Sequence, residues 1–309
     1  MKPLIAIGLG TRDRPKMLSQ ILESFARLKL PEEVVVKLII CENGSSKEVK
    51  ELVSEFEKKL PFEITFLQET VIGIVFMRNM ILNEAINNGS SFLAFVDDDE
   101  QVDPHWLVRL EEARVKFSAD VVQGHVEQHF PLVPNLDLLQ KFFPGSFDKN
   151  TGDELDVAYT NNVLFDVSLV RNLGLRFNER FNLTGGSDSF FFSQLKEKGA
   201  RIVFCKEAIV TETVPESRAN IEWVLSRTYR NGYTRYLMSV EKLGKTRAFL
   251  KGLKTVFKVL ECYMMKRSRL GKQPSEQDIS VQRKCLRAKG KFDAMIGVPF
   301  TEYHVMHGD

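Results

Sequence analysis

Long apolar runs are missing from this 309-residue chain. No stretch approaches the roughly 20 apolar residues that a spanning helix needs. Cys41, Cys205, Cys262 and Cys285 are scattered, with no Cys-x-x-Cys pair, which argues against a disulfide framework or a structural zinc site. Low-complexity tracts and internal repeats are absent, so solenoids and propellers are not expected. Histidine is scarce. The one grouping, His125, Glu127 and His129, shares a strand face but lacks a helical His-Glu-x-x-His pattern or a cysteine partner, and makes a poor metal set. The two tryptophans, Trp106 and Trp223, read as core residues. Lys2–Gly10 is short and apolar, yet Thr11-Arg12-Asp13-Arg14 follows at once without a cleavage pattern. It reads as a first strand and predicts a cytoplasmic location.

What is present is an ordinary globular composition, 43% hydrophobic and 27% charged, long enough for one large domain or two smaller ones. The net charge of +2 hides an asymmetry. Residues 1–215 carry 24 basic and 32 acidic side chains, whereas 216–309 carry 19 and 9. The chain therefore reads as a domain over 1–215 and a basic region over 216–309. The basic region should face something anionic, such as a membrane surface, a phosphate-bearing lipid or a nucleic acid.

Over the first 130 residues, strands alternate with helices. Strands are expected at Leu4–Leu9, Val34–Cys41, Glu63–Leu67, Phe92–Val96 and Val121–His129. Helices are expected at Pro15–Leu28, Lys47–Lys58, Phe76–Asn87 and His105–Phe117. This is the βαβ pattern of a mostly parallel sheet between helices. Pro131–Asp156 reads as a loop-rich flap. Short strands follow at Asn162–Phe165, Arg201–Cys205 and Ile209–Thr213, with a helix from Gly185-Gly186-Ser187-Asp188 to Lys198 whose Phe190, Phe191 and Phe192 pack inward. Beyond Arg218 the pattern is helical.

The most informative feature is Asp97-Asp98-Asp99, directly after the apolar run Phe92–Val96. Ligands of open α/β sheets bind at the carboxyl ends of strands. Three adjacent carboxylates repel one another, and a divalent cation relieves them. The competing reading is a solvated acidic turn, with Asp103 capping the next helix ahead of Pro104. Thr11–Arg14 and Glu42-Asn43-Gly44-Ser45 follow the first two strands, and Arg78-Asn79 lies in the helix leading toward the acids. Such an edge suits a nucleotide, with carboxylates accepting from base or ribose and arginine pairing with phosphate.

Five blocks in this order resemble a family 2 glycosyltransferase of GT-A type. They are Gly10–Pro15; Cys41–Ser45; Gly73 with Arg78-Asn79; Phe95–Glu100 with Pro104–Leu107; and Phe177–Phe181 followed by Gly185–Asp188. The likeness covers about residues 3–230, including Arg227–Gly232. It is strongest to the subgroup that builds bacterial surface polysaccharides, such as succinoglycan and lipopolysaccharide-core transferases. The resemblance implies a GT-A, Rossmann-like, mostly parallel but mixed sheet flanked by helices, with a helical C-terminal extension. It also implies an inverting, hexosyl-transferring enzyme that uses Mn²⁺ or Mg²⁺.

Residue by residue, it implies that Thr11, Arg14, Glu42, Arg78, Asp97 and Asp98 bind the nucleotide-sugar, that Asp99 and Asp97 serve the metal, and that Asp188 is the general base. Glu42 stands where the family usually has Asp, and Ser187 where it usually has Glu. The late histidine of the family is not evident, and Glu212 lies nearby. Arg218, Arg227 and Arg230 are candidates for phosphate or acceptor contacts, or for structural ion pairs. The implied donor is UDP-linked, and the acceptor is a glycan or lipid-linked glycan. Nucleic acid is not expected as a partner.

Two other readings stand beside this one. A sugar nucleotidyltransferase would want a glycine-rich loop after the first strand, which Thr11–Arg14 is not. A catalytically silent scaffold would bind membrane or nucleic acid through the basic region. In that region Arg247–Met264 is amphipathic. Arg247, Lys251, Lys254 and Lys258 share one face, and Phe249, Leu253, Val256, Phe257, Leu260 and Met264 share the opposite one. Ten basic residues and one acid lie within 242–272. The apolar face either packs on the domain or meets the inner face of the cell membrane, which would make the protein peripheral there.

Overall fold

The computed structural model describes residues 2–145, 149–259 and 275–301. Its elements run Leu4–Thr11 (β1), Pro15–Phe25 (α1), Val35–Glu42 (β2), Lys47–Phe56 (α2), Glu63–Gln68 (β3), Ile74–Asn87 (α3), Phe92–Asp97 (β4), Glu100–Val102 (β5), Trp106–Phe117 (α4) and Val121–His129 (β6). They continue with Leu136–Phe142 (α5), Asn162–Asp166 (β7), Val167–Asn172 (α6), Ser187–Glu197 (α7), Ile202–Thr213 (β8), Ile221–Leu243 (α8), Lys245–Gly252 (α9) and Glu276–Met295 (α10). A 3-10 turn spans Glu179–Phe181.

The eight strands form one sheet in the order β3-β2-β1-β4-β7-β6-β8-β5. The first four in that order are parallel, as the alternating pattern predicts. β7 enters antiparallel between β4 and β6, and β5 pairs antiparallel with β8, so the sheet is mixed. The two short strands expected at the end are one, β8, with an irregular register where Gly124 and His125 meet it. Two short helices, α5 and α6, occupy stretches read from the sequence as irregular; α6 is capped by Asp166, which accepts the Leu169 N–H at 3.0 Å.

The strands are apolar on both faces because helices cover both. One face packs Ile5, Ile7 and Leu9 with Leu18, Leu22, Trp106 and Leu110; the other packs Phe95, Val163 and Phe165 with Ile81, Phe177, Phe191 and Phe192. Trp106 and Phe190–Phe192 are core, as expected. The Trp106 indole N–H donates to Asn162 Oδ1 at 2.8 Å, and Asn162 Nδ2 donates to the His125 and Ala208 carbonyls, which ties β7 to α4, β6 and β8. Helix α3 lies directly on β1 because Gly8 and Gly10 carry no side chain. A methyl group at Gly10 would come 2.3 Å from Met77 Cε, the residue next to Arg78.

Beyond β8 the chain is helical. Helices α8 and α10 cross backbone against backbone at Gly232 and Gly290. Helix α9, continued by a helical stretch at 254–259, does not bury the bulky apolar face foreseen from periodicity. It packs through its small side, Ala248, Gly252 and Thr255, while Phe249, Leu250, Leu253 and Phe257 are exposed, Phe257 by 74%. Residues 260–264 of the amphipathic segment, and 260–272 of the basic stretch, lie outside the described residues. No described helix is long and apolar enough to cross a membrane. Cys41 and Cys205 are buried free thiols, whereas Cys285 is disulfide-bonded, a single cross-link that the spacing did not announce.

Candidate active site

The carboxyl ends of β1, β2 and β4 bring Thr11, Glu42 and Asp97 side by side, since Thr11 pairs with Glu42 and Gly10 with Asp97 in the ladder. Side chains alternate across a sheet, so the acids divide between its faces. Asp98 turns to the Thr11 side. Its Oδ2 accepts the Thr11 hydroxyl at 2.7 Å and its Oδ1 accepts Arg14 Nη1 at 3.2 Å. Burial pushes the Asp98 carboxyl up to about 6, against the pull of Arg14 and Thr11. Thr11, Arg14 and Asp98 thus form one interlocked group at the end of β1.

Asp97 turns to the other side, toward α3. Its Oδ1 lies 3.9 Å from Arg78 Nη2, and Arg78 Nη1 donates to Ser187 Oγ at 3.1 Å. Arg78 is buried, and one hydroxyl and one carboxylate receive its charge. Desolvation raises the Asp97 pKa first, Arg78 opposes it, and the charges of Asp99, Asp98 and Asp188 raise it further. With 44% of its side chain exposed, Asp97 still meets water. Ser187 therefore does more than mark a lost carboxylate: its hydroxyl orients Arg78.

Arg78 sits one turn into α3, whose start is fixed by Asn43, from the polar turn after β2, and by Asn182, which no sequence motif marked. Asn43 Oδ1 accepts the Gly73 N–H at 2.7 Å, and its Nδ2 donates to the Glu69 and Val71 carbonyls. Asn182 Oδ1 accepts the Val75 N–H at 3.3 Å. Gly73 has φ +147°, and a side chain there would strike Asn182 at 2.1 Å.

Glu42 is buried at the end of β2. Its Oε1 accepts the Asp13 N–H at 3.0 Å, while Oε2 has no partner among the described residues. Burial raises its pKa most, and the Asp13 and Asp98 charges add to that rise. An orphaned buried carboxylate oxygen calls for a donor from outside the chain.

Asp99 faces β8. Arg218 Nη1 lies 3.8 Å from Asp99 Oδ2 and 3.6 Å from Glu212 Oε1, so one guanidinium nitrogen bridges the two carboxylates. Gln128 donates to the other Glu212 oxygen at 3.2 Å. Burial raises the Glu212 pKa, and so does Asp99. Behind the acids, buried Glu100 accepts the Asp97 N–H at 3.1 Å and is itself raised well above the ordinary range, by burial first and then by Asp97 and Asp99. The β5–β8 register sets Glu100 opposite Glu212.

Asp188 is the second residue of α7, after Gly186 at φ +88°. It does not cap the helix; its Oδ1 accepts the Ser189 N–H at 2.7 Å. Its charge raises the pKa values of both Asp97 and Tyr159. Arg227 stacks over the Trp223 ring at 5.2 Å, and its charge also reaches Glu212. Arg230 lies one turn further along α8, half-buried. Asp103 does not cap the next helix as expected: the cap position of α4 is His105, with no side-chain cap bond, and Asp103 Oδ1 only closes a local turn by accepting the His105 N–H at 2.8 Å.

Carboxylates outnumber arginines at this edge, and five of them, Glu42, Asp97, Asp98, Glu100 and Glu212, are raised by burial and mutual repulsion. That donor chemistry fits a hard divalent cation. Among the described residues no three acidic, histidine or cysteine side chains close into a complete ligand set. The edge therefore suits an ion that takes its remaining ligands from water and phosphate oxygens. His125, Glu127 and His129 form no such group either; His129 Nε2 lies 3.4 Å from Glu127 Oε1. Two surface concavities, between α1 and α2 and behind α3, contain none of the acids of the triplet, Arg78 or Asp188.

Comparison with known proteins agrees with this geometry. Residues 3–234 match the family model described as glycosyltransferase like family 2. The succinoglycan biosynthesis protein ExoM of Rhizobium meliloti (strain 1021) is 33% identical over 239 residues, which are 77% of this chain and 76% of that protein. Among solved structures, S. aureus TarS 1–349 has a TM-score of 0.53 at 13% identity, covering 95% of this chain and 91% of that one. The mannosyltransferase PcManGT from Pyrobaculum calidifontis, solved with GDP-Man and Mn²⁺, has a TM-score of 0.54 at 13% identity, covering 97% and 77%. At such identity these structures speak for the fold. The chain has the GT-A fold and belongs to glycosyltransferase family 2.

Proposed function

We propose that this enzyme transfers a sugar from a UDP-linked donor to a hydroxyl of a lipid-linked glycan during bacterial surface polysaccharide synthesis. The transfer inverts the anomeric centre and depends on Mn²⁺ or Mg²⁺. The observation that carries the proposal is the convergence of Glu42, Arg78, Asp97, Asp99 and Asp188, from separate segments, on one sheet edge. The likeness to ExoM supports a role in polysaccharide synthesis. TarS has been solved with UDP and with UDP-GlcNAc, which supports a uridine donor.

In this reading Glu42 accepts from the nucleobase through its unpartnered oxygen. Thr11, Arg14 and Asp98 shape the floor of the pocket, and Asp97 accepts from the ribose. Arg78 pairs with the diphosphate, oriented by Ser187. Asp99 and Asp97 would hold the divalent ion, with Glu212 a third carboxylate within reach through Arg218. When bound, such an ion neutralises charge on the departing diphosphate. Asp188 removes the proton from the acceptor hydroxyl as that oxygen attacks the anomeric carbon opposite the leaving group. One displacement inverts the centre.

The same reading sets the enzyme peripherally on the cytoplasmic face of the membrane. Phe249, Leu250, Leu253 and Phe257 are exposed on the side of α9 and its continuation away from the protein, flanked by Arg247, Lys251, Lys254 and Lys258. A basic residue near an anionic surface contributes about 1 kcal/mol, so attachment is reversible and salt-sensitive. The test of the function is a donor screen. Purified protein with Mn²⁺ should hydrolyse or transfer from UDP-sugars and lose that activity in EDTA. No turnover with any nucleotide-sugar would instead favour a silent scaffold.

A further inference from the structure

Away from the donor edge, Arg235, Arg283 and Arg287 lie on facing stretches of α8 and α10, with no acid paired to them among the described residues. Arg283 and Arg287 stand four residues apart on α10, so their Cβ atoms share one helix face about 5–6 Å apart. The crossing of α8 and α10 is unusually close. A methyl group at Gly232 would come 2.1 Å from the Arg287 carbonyl oxygen, and one at Gly290 would come 2.1 Å from the Tyr229 carbonyl oxygen. That contact carries Arg287 to the stretch of α8 that bears Arg235. Next to Arg235, the Thr234 Cβ lies 3.3 Å from where a side chain at Gly186 would begin, and Gly186 opens the helix of Asp188. Tyr159 feels the charges of both Asp188 and Arg235. The cluster therefore borders the candidate base.

Its electrostatics are unfavourable as they stand. Arg283 has neutral company: Nε donates to Thr228 Oγ1 at 3.3 Å, and the guanidinium lies 5.1 Å from the centre of the Phe142 ring. Arg287 Nε is buried without a partner among the described residues. Burial lowers the Arg287 pKa, and the charges of Arg235 and Arg283 lower it further. Among the described residues the acids on this side have other partners: Asp188 accepts the Ser189 N–H. Asp293 accepts from Tyr229 and Lys289, and Glu241 from Asn178 and Arg180. Planar guanidiniums brought within one another's field match the oxygens of a phosphate, which would relieve their repulsion.

We infer that Arg235, Arg283 and Arg287 form a second anion site, one that binds the phosphate or diphosphate group of the acceptor and so marks the acceptor as a glycan carried on a phosphate-bearing lipid. This rests on the transferase reading above. The donor's diphosphate has its own cations, Arg78 and Arg218, at the sheet edge.

The test is calorimetric titration of the full chain in EDTA with inorganic pyrophosphate and with geranyl diphosphate, each with and without excess UDP. Both diphosphates should bind, UDP should not displace them, and Arg287→Gln should weaken both at least tenfold. Arg287→Lys keeps the charge without the fork and should fall between. Arg235→Gln, at an exposed position, should weaken both without altering the melting temperature. All three variants should bind UDP with Mn²⁺ as the wild type does. Displacement by UDP would assign the anion to the donor pocket and overturn the inference, as would unchanged diphosphate binding in Arg287→Gln and Arg235→Gln. Phosphatidylglycerol vesicles form the remaining arm. Vesicle binding that depends on Arg287 without any diphosphate binding would make the cluster a headgroup contact and also overturn it. Failure of the wild type to bind UDP with Mn²⁺ would strike the donor reading alone.

Discussion

Arg78 reaches Asp97 at 3.9 Å from the second turn of α3, and through the same guanidinium it holds Ser187 at the start of α7. One buried cation thus ties the helix before the acidic strand end to the helix of the candidate base. Replacing Arg78 by Gln should lower kcat/KM about 100-fold, the scale of losing one charge-stabilising donor. It should also weaken UDP binding, because Asp97 is left without its opposing charge. Steady-state kinetics with UDP calorimetry check this. Unchanged UDP affinity would remove Arg78 from the diphosphate site.

Asp188→Asn keeps the size of the side chain and the acceptor for the Ser189 N–H. Transfer should fall about 100- to 10,000-fold, the usual contribution of a general base. Binding of UDP with Mn²⁺ should stay within a factor of two or so. A variant retaining full transfer would exclude Asp188 as the base.

Glu42 supplies a pH prediction. Its pKa is raised in the folded state by burial, so the folded chain binds a proton more readily than the unfolded chain. Its ionised form therefore costs stability above the raised pKa, and that cost disappears as the pH falls below the unfolded value. Glu42→Gln removes the charge and keeps an acceptor for the Asp13 N–H. It should melt higher than the wild type near pH 8, with the difference closing as the pH is lowered toward about 4. The same variant should bind uridine nucleotides less well. Melting curves across pH, paired with UDP titration, test both; equal melting temperatures at all pH values would show that Glu42 carries no desolvation cost.

The helix crossing makes a stability prediction independent of the chemistry. Alanine at Gly232 or Gly290 would place a methyl group 2.1 Å from a carbonyl oxygen of the opposite helix. The helices must separate, at a cost on the order of 1–3 kcal/mol or more. Denaturant unfolding should show this loss for each variant, while Gly244→Ala, where open space surrounds the site, should cost only what its positive φ demands.

These predictions draw unequally on what the chain discloses by itself. The parallel half of the sheet was legible because β1, β2 and β4 are apolar throughout and end in polar groups, which mark their carboxyl ends. Asp97–Asp99, Glu42, Arg78 and Asp188 could be singled out for that reason and through the family blocks. β5 was not legible, since three residues directly after the acids show no period. The antiparallel entry of β7 between β4 and β6 rests on long-range pairings, and Asn162 is held by Trp106, 56 residues away. For the amphipathic helix periodicity left two roles open to the apolar face, and the described part shows Phe249 and Phe257 turned outward because small residues, Ala248, Gly252 and Thr255, do the packing. Arg283 and Arg287 belong to no motif; only the Gly232–Gly290 crossing brings them toward Arg235.

Metal dependence of nucleotide binding bears on the whole site at once. Titration of UDP into wild-type protein and into Asp99→Asn, with Mn²⁺ and with EDTA, measures it. Tight binding by the wild type only with Mn²⁺, lost at least tenfold in Asp99→Asn, is the expected result. Binding that ignores both the metal and Asp99, or no binding at all, would contradict the reading of the acidic strand end as the donor site.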